Sequence, residues 1–318
     1  MTDTKDALII GGGPAGLSAA LTMARQRQTC VIFDSGSYRN GISDYMHLIP
    51  GFDHKHPSEY LAASRENILD RYPTVSIEKV SISTIKKNED GTFEATDTNE
   101  TLWRSKKLVL ASGVDDIMPK IDGYEECWGK GIFHCLFCKG YEEAGCSSSG
   151  VLAIESLAMA PFALHVARQA SALSESVTIY TNGETTLAEN IVSIFGSTSR
   201  MKTDARPIKS FRMGGSGAEV VITFTDGSEV TEGFLAHAPR TTPKGSVVKE
   251  LSLEQTPSGD IKAGPPFYET SVKGVFAAGD VCSPMKNIPN AIFSGNLAGT
   301  GASSQIMAEA HGQKSLFG

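Results

Sequence analysis

The chain has 318 residues, 40% of them hydrophobic and 20% charged, and a formal net charge of -7. That length exceeds one typical domain, so two are expected. The acidic balance disfavours nucleic acid and anionic membranes, which bind basic patches. No apolar run reaches the roughly 18 residues that span a bilayer. The start, MTDTKDALIIGGG, holds one short apolar run that leads straight into glycines, which is not a signal pattern. A cytosolic protein with no nucleic-acid and no membrane partner is therefore expected.

Residues 6–10, DALII, predict a short buried strand. GGGPAG follows, then LSAALTMARQRQ with apolar residues at helical spacing, then a second strand, TCVIFD. Together they make a βαβ unit. Its loop, Gly11-Gly12-Gly13-Pro14-Ala15-Gly16, fits G-x-G-x-x-G. Glycines there permit a tight turn and a close approach of backbone to a pyrophosphate, and the helix start supplies N–H groups. Asp34 ends the second strand, where a carboxylate accepts hydrogen bonds from a ribose. Gly11, Gly13, Pro14, Ala15, Gly16 and Asp34 are the candidate contacts of a dinucleotide. The motif alone is weak; strand, loop, helix, strand and acid in order make it strong.

Residues 73–112 read as several short strands, with a turn at Glu89 to Gly91, and end in KKLVLASG. A new segment begins near Pro119. VLAIES, 151–156, is strand-like, a helical stretch runs to about Leu173, and SVTIYTNG is a strand with a turn. This is a second βαβ-like unit. Residues 218–231 predict a hairpin around Asp226-Gly227. FLAHAP, GVFAAGD and a Gly- and Ala-rich helix from about Ile288 to Ala310 complete the chain. The expected fold class is α/β, with two Rossmann-like dinucleotide-binding-type domains, the second inserted in the first. The expected boundaries are 1–116 with 241–318, and 117–240.

Four of the six cysteines, Cys127, Cys135, Cys138 and Cys146, fall within twenty residues. Clustered cysteines in a cytosolic chain point to metal or redox chemistry. Cys135-Leu136-Phe137-Cys138 can cycle between dithiol and disulfide, moving two electrons per cycle. Zinc is the competing reading, but C-x7-C-x2-C-x7-C has only one of the two close pairs that a zinc ribbon uses. No metal is therefore assigned, and Cys127 and Cys146 are taken as structural. His134 adjoins Cys135 and could hold its proton; a hydrogen-bonded spectator is the equal alternative.

GGGPAG near the start, a central LASG and a late FAAGD resemble the FAD-binding domain of the two-dinucleotide-domain flavoprotein disulfide reductases. The resemblance implies FAD as cofactor. It implies that Asp280 holds the ribityl chain and that the helix start at Asn290 and Ala291 points N–H groups at the flavin pyrimidine. It also implies cofactor contacts at Ser35, Val80, Ala111, Gly113 and Gly279. The CxxC stands where low molecular weight thioredoxin reductases carry theirs, with Cys138 the flavin-side thiol and Cys135 the substrate-side thiol. Those reductases have an Asp after the second Cys; here it is Lys139, which shifts weight to His134 as the proton carrier.

A reductase of this kind needs a second nucleotide site for NADPH, opened by another glycine loop. The matching loop, Ile154 to Pro161, is IESLAMAP and holds no glycine, so side chains would block a pyrophosphate. The next strand ends in Thr181-Asn182-Gly183-Glu184, without the arginines that hold a 2'-phosphate. The electron flow is therefore expected to run from a substrate dithiol, through Cys135 and Cys138 and FAD, to O2.

One known branch matches: the gliotoxin-type dithiol oxidases of epidithiodiketopiperazine biosynthesis, relatives of thioredoxin reductase. The resemblance covers nearly the whole chain, through GGGPAGLSAAL, FDSGSYRN, MHLIPGFDH, ECWGKGIFHCLFCKGYEE, LSESVTIYTNG, TEGFLAHAP and PPFYETSVKGVFAAGD. It implies a cytosolic homodimer with FAD, a small-molecule dithiol substrate and O2 as partners, and a role in making a small toxin and protecting its producer. It also implies Arg39, Asn40 and His47 near the flavin, though a surface or core polar role for each is the competing reading. Two other functions stay open at this point. One is a disulfide reductase fed by NADPH or ferredoxin; the other is a flavoprotein that binds a thiol metabolite without turnover.

Overall fold

The computed structural model describes residues 3–195 and 199–316. It divides the chain into two compact units, Met1–Asp115 with Thr241–Gly318, and Asp116–Arg240.

The first unit is built on one sheet. Its strands are β1 (Lys5–Ile10), β2 (Cys30–Phe33), β3 (Val75–Glu78), β4 (Ile82–Lys87), β5 (Phe93–Asp97) and β6 (Leu102–Leu110). They lie in the order β3-β2-β1-β6-β5-β4. β1, β2, β3 and β6 run parallel. The β4–β5 hairpin turns at the expected Glu89 to Gly91 and joins β6 antiparallel. The central strands are apolar without alternation, with Ala7, Leu8, Ile9 and Leu108 to Leu110 wholly buried. That is the signature of a sheet covered on both faces.

The register positions the candidate cofactor loops. β6 pairs with β1 along one edge. Its other edge takes β5 over Leu102 to Ser105 and the parallel strand Val275–Ala277 over Leu108 to Leu110. Ile10, Leu110 and Ala277 therefore end level with one another. The residues that follow them, Gly11, Ala111 and Ala278, leave the sheet together at its C-terminal end, where open α/β sheets bind ligands.

The inserted unit has a five-stranded sheet of parallel pairs, in the order Met201–Asp204, Ser174–Tyr180, Cys146–Leu152, Leu235–Ala236, Ile132–Phe133. A three-stranded antiparallel sheet, Ile208–Met213, Val220–Phe224 and Glu229–Glu232, holds the expected turn at Asp226-Gly227. Helix Ala160–Ala170 has Pro in its first turn and buries Ala163, Ala167 and Ala170 as one stripe.

Three boundaries differ from expectation. The strand expected over 151–156 is Cys146–Leu152; past it, Glu155 adopts a left-handed φ of 47° and Glu155–Leu157 coils into a 3-10 turn. The helix stops at Ala170, not Leu173. Helices Pro57–Arg71 and Thr185–Ile194 were not expected. The first had a readable start, His56 capping Ser58 ahead of Pro57. Among the described residues no helix is long and apolar enough to cross a membrane.

Candidate functional site

The loop after β1 has the shape a dinucleotide needs. A Cβ on Gly11, whose φ is +117°, would lie 2.1 Å from the Ala111 carbonyl oxygen, so only glycine lets the chain pass between β1 and β6. A Cβ on Gly16 would lie 1.9 Å from the Gly11 carbonyl oxygen, so this glycine seats helix Pro14–Ala24 on the loop. At Gly13 a Cβ would meet nothing within 4 Å, which leaves the backbone open to a ligand. Pro14 starts the helix without an N–H, and Ala15 packs at Gly279, whose Cβ would lie 3.0 Å from that of Ala15. The N-terminal and C-terminal halves of the cofactor motif thus meet.

The two acids assigned to the cofactor are each met by an arginine. Asp34 is buried at the end of β2 and accepts from Arg65 at 2.7 Å, from the Tyr38 hydroxyl at 2.7 Å and from the Gly36 N–H at 3.0 Å. Burial, then the Asp34 carboxylate, push Tyr38 up to about 12, so it stays a donor. Asp280 sits in the 3-10 turn Gly279–Cys282, 3.3 Å from Arg39. Lys286 pins that turn through the Asp280 carbonyl at 3.0 Å and Asp260 at 2.6 Å, and Ser294 Oγ accepts the Gly279 N–H at 2.9 Å. Sequence reasoning named Asp34, Arg39 and Asp280 but missed Tyr38, Arg65, Lys286 and Ser294.

The other assigned positions fall around the unit. Ser35 Oγ accepts from the Ser37 N–H at 3.3 Å, and Asn40 lies in the 3-10 turn Arg39–Ile42. His47 Nδ1 is 3.4 Å from Asp53, with the His54 ring centroid 5.5 Å away. Val80 closes a tight turn onto the Glu78 carbonyl at 2.9 Å, and the Gly113 carbonyl accepts from Lys244 N–H at 3.0 Å. At the start of the last helix the expected donors have partners within the chain. The Asn290 N–H is donated to Asn287 Oδ1 at 2.9 Å and the Ala291 N–H to the Asn287 carbonyl at 3.0 Å. Asn287 caps helix Ile288–Ala310 and takes the donors that the resemblance aimed at the flavin.

In the inserted unit, strand Ile132–Phe133 delivers the redox pair. Cys135 and Cys138 are joined as a disulfide, with Cα atoms 5.2 Å apart and both residues partly exposed. The turn between them is tight: the N–H groups of Cys138 and Lys139 donate to the Cys135 carbonyl at 3.1 and 3.0 Å. The Cys138 N–H also lies 3.2 Å from Cys135 Sγ. Lys139 is committed elsewhere, donating to the Gly129 carbonyl at 2.9 Å and lying 5.0 Å from the Phe133 ring centre. It is a strut beneath the turn. His134 is exposed, its ring 6.0 Å from that of Trp128.

Behind Trp128 is a buried pair that sequence analysis did not single out. The Tyr124 hydroxyl lies 2.7 Å from His237 Nδ1, and His237 Nε2 lies 3.4 Å from the Ile154 carbonyl oxygen. Tyr124 donating to Nδ1, with Nε2–H donating to Ile154, serves every group. Burial pulls His237 down to about 4, partly offset by the Ile154 carbonyl, so it is neutral at pH 7. The His237 N–H reaches the Phe133 carbonyl at 3.0 Å. The pair therefore ties the strand that carries the disulfide to the loop after Leu152.

The four remaining cysteines are held as thiols. Burial pushes Cys30 and Cys282 up to about 12 and raises Cys127 and Cys146 as well. Such thiols are poor nucleophiles.

That loop, Ile154 to Pro161, is filled rather than open. Ile154 and Leu157 turn inward and are buried. The N–H of Ala153 goes to the Tyr180 carbonyl, that of Leu157 to Ile154 and that of Ala158 to Glu155. Pro161 offers none. Where a 2'-phosphate would be read, Asn182 Oδ1 accepts the Ile208 N–H at 2.7 Å. The Arg206 guanidinium is spent on Asp204, on Ser228 at 2.8 Å and on the Phe224 ring face at 3.8 Å.

A glycine-cradled βαβ unit with its acids, and a redox disulfide in an inserted Rossmann-like unit, define a flavin-dependent disulfide oxidoreductase. The chain belongs to the pyridine nucleotide-disulphide oxidoreductase family, whose model matches residues 5–295. It is 53% identical over 313 residues to thioredoxin reductase tcpT of Claviceps purpurea, covering 98% of this chain and 97% of that one. It is 42% identical to thioredoxin reductase aclD of Aspergillus oryzae, covering 95% and 96%. A solved oxidoreductase from Agrobacterium tumefaciens superposes with a TM-score of 0.83 at 29% identity, covering 96% and 99%. The fold is thus thioredoxin reductase-like and the cofactor is FAD, which the open cradle at Gly11 to Gly16 fits.

Proposed function

We propose that the protein is a dithiol oxidase that closes a disulfide in a small-molecule dithiol of the epidithiodiketopiperazine type, with O2 as acceptor. The net reaction is dithiol plus O2 giving disulfide plus H2O2. The observation that carries it is the loop Ile154 to Pro161, which holds no glycine, buries Ile154 and Leu157, and turns the N–H groups of Leu157 and Ala158 onto its own carbonyls.

In this reading a substrate thiolate attacks Cys135 Sγ, and Cys138 leaves as thiolate. The second substrate thiolate then attacks the sulfur bonded to Cys135, closing the substrate disulfide and leaving both cysteines reduced. The two thiol protons leave the substrate, and in this reading His134, exposed beside Cys135, takes one. FAD supplies the two-electron chemistry that carries the pair from the cysteines to O2. The first unit is the FAD domain; the second is a degenerate NADPH-type fold kept to carry the cysteines. Arg39, Asn40 and His47 border the flavin. A cytosolic homodimer that serves toxin biosynthesis and self-protection completes the reading, which rests there on resemblance.

The relatives' name, thioredoxin reductase, favours a second reading, a disulfide reductase fed by NADPH or ferredoxin. Anaerobic titration of the yellow protein separates the two. A small dithiol is expected to bleach the flavin band, air to restore it with H2O2, and NADPH to do nothing. Cys135→Ser and Cys138→Ser are expected to keep the colour and oxidise no dithiol. Rapid bleaching by NADPH would make the protein a reductase.

A further inference from the structure

Residues 136–141 alternate between pinned and displayed. Leu136 is buried in the core of the inserted unit, at 7% exposure. Lys139 is tied to the Gly129 carbonyl and lies over Phe133. Gly140 is buried where a Cβ would lie 2.9 Å from the Leu136 carbonyl oxygen and 3.0 Å from Leu173. Between these anchors Phe137 is 68% exposed, and just past them Tyr141, opening the 3-10 turn Tyr141–Glu143, is 84% exposed. They are the most exposed aromatic side chains among the described residues.

Nothing in the fold requires aromatics there. The turn is held by Leu136, by its own backbone hydrogen bonds and by Lys139, so polar residues at 137 and 141 would serve it as well. Large apolar rings left in water mark a contact surface, and aromatic side chains, with two χ angles, bind with little loss of conformational freedom. One ring stands between the two cysteines and the other three residues beyond Cys138. A molecule whose sulfurs reach the disulfide comes beside them.

We infer that Phe137 and Tyr141 are specificity-determining residues that grip the apolar face of a compact, ring-shaped dithiol as its sulfurs meet Cys135. This rests on the dithiol oxidase reading and assigns the residues that hold its substrate. The rings select a cyclic apolar dithiol over a flexible polar one such as dithiothreitol.

The test uses the FAD-loaded protein and two dithiols, a benzyl-substituted dimercaptodiketopiperazine and dithiothreitol. In the double variant Phe137→Ala, Tyr141→Ala, the ratio of kcat/KM for the first to that for the second is expected to fall at least about tenfold, with the loss in KM. Tyr141→Phe is expected to keep the ratio within about threefold, since the ring remains. An unchanged ratio, or equal losses with both dithiols, would overturn the inference. Calorimetry with the corresponding cyclic disulfide needs no turnover. Its affinity should weaken at least about tenfold in the double variant. Equal affinity for wild type and variant, or none for either, overturns the inference even if the oxidase reading holds. Turnover of neither dithiol with that affinity difference intact would sink the oxidase reading alone.

Discussion

The two units share a βαβ plan and treat the loop after the first strand in opposite ways. In the first, Gly11 and Gly16 let the loop and helix pack without side chains, and the backbone at Gly13 faces open space. In the second, no glycine is present, Ile154 and Leu157 turn into the core, the N–H groups of Leu157 and Ala158 bond within the loop, and the helix begins with Ala160 and Pro161. A Rossmann-like unit keeps its plan whatever its loop holds, because its sheet and helix stripe form the core and the loop lies outside it. What the second unit retains is a rigid edge strand, and that strand holds the disulfide.

The comparison breaks most sharply at Gly11. Gly11→Ala puts a methyl 2.1 Å from the Ala111 carbonyl oxygen at a φ of +117°. It is expected to cost about 3 kcal/mol or more and to strip the flavin, read from the visible spectrum of purified protein. Ala158→Gly in the other loop should cost about 1 kcal/mol at most and leave the flavin in place. Retention of full colour by Gly11→Ala would end the account of the first loop as a cradle.

His237 gives the second largest effect, and its sign is fixed. Its pKa is about 4 when folded against 6.5 unfolded, so at acid pH the unfolded chain binds a proton that the folded chain refuses. Its neutral form holds full stability above pH 6.5, and stability falls as pH drops from there to about 4, by roughly 3 kcal/mol in all. Urea unfolding followed by tryptophan fluorescence should show that slope, and His237→Gln should flatten it. An unaltered slope would mean that the tie between the disulfide strand and the Ile154 loop lies elsewhere.

The smallest effect sharpens the contrast. Glu155 holds a left-handed φ of 47° and a distant 3.9 Å pairing with Arg240. Glu155→Gly removes that backbone cost and should stabilise the protein by up to about 1 kcal/mol in the same assay. One glycine does not empty the space that Ile154 and Leu157 occupy, so NADPH should still leave the flavin band untouched. Bleaching of this variant by NADPH would show the second site to be one residue from use.

Much of the fold was legible because it is written locally. The glycine loop, the Asp226-Gly227 and Glu89 to Gly91 turns and the last helix are set by residues a few positions apart, and each stands where periodicity and turn chemistry put it. The strand expected over 151–156 was misread because Ala153 and Ile154 are as apolar as a strand. The strand ends at Leu152, and the chain turns away at the left-handed Glu155.

By itself the sequence determined the cofactor class, the redox pair and the lack of glycines in the second loop, since these depend on residue type and spacing. Tertiary structure decided the partners. Arg65 meets Asp34 across 31 positions, Arg39 meets Asp280 across 241, and Tyr124 meets His237 across 113. Asn287 claims the N–H groups that the resemblance assigned to the flavin, and Lys139 turns from the proton donor's place to the Gly129 carbonyl. A side chain's partner is fixed by which strands and turns are brought side by side, and no local pattern encodes that.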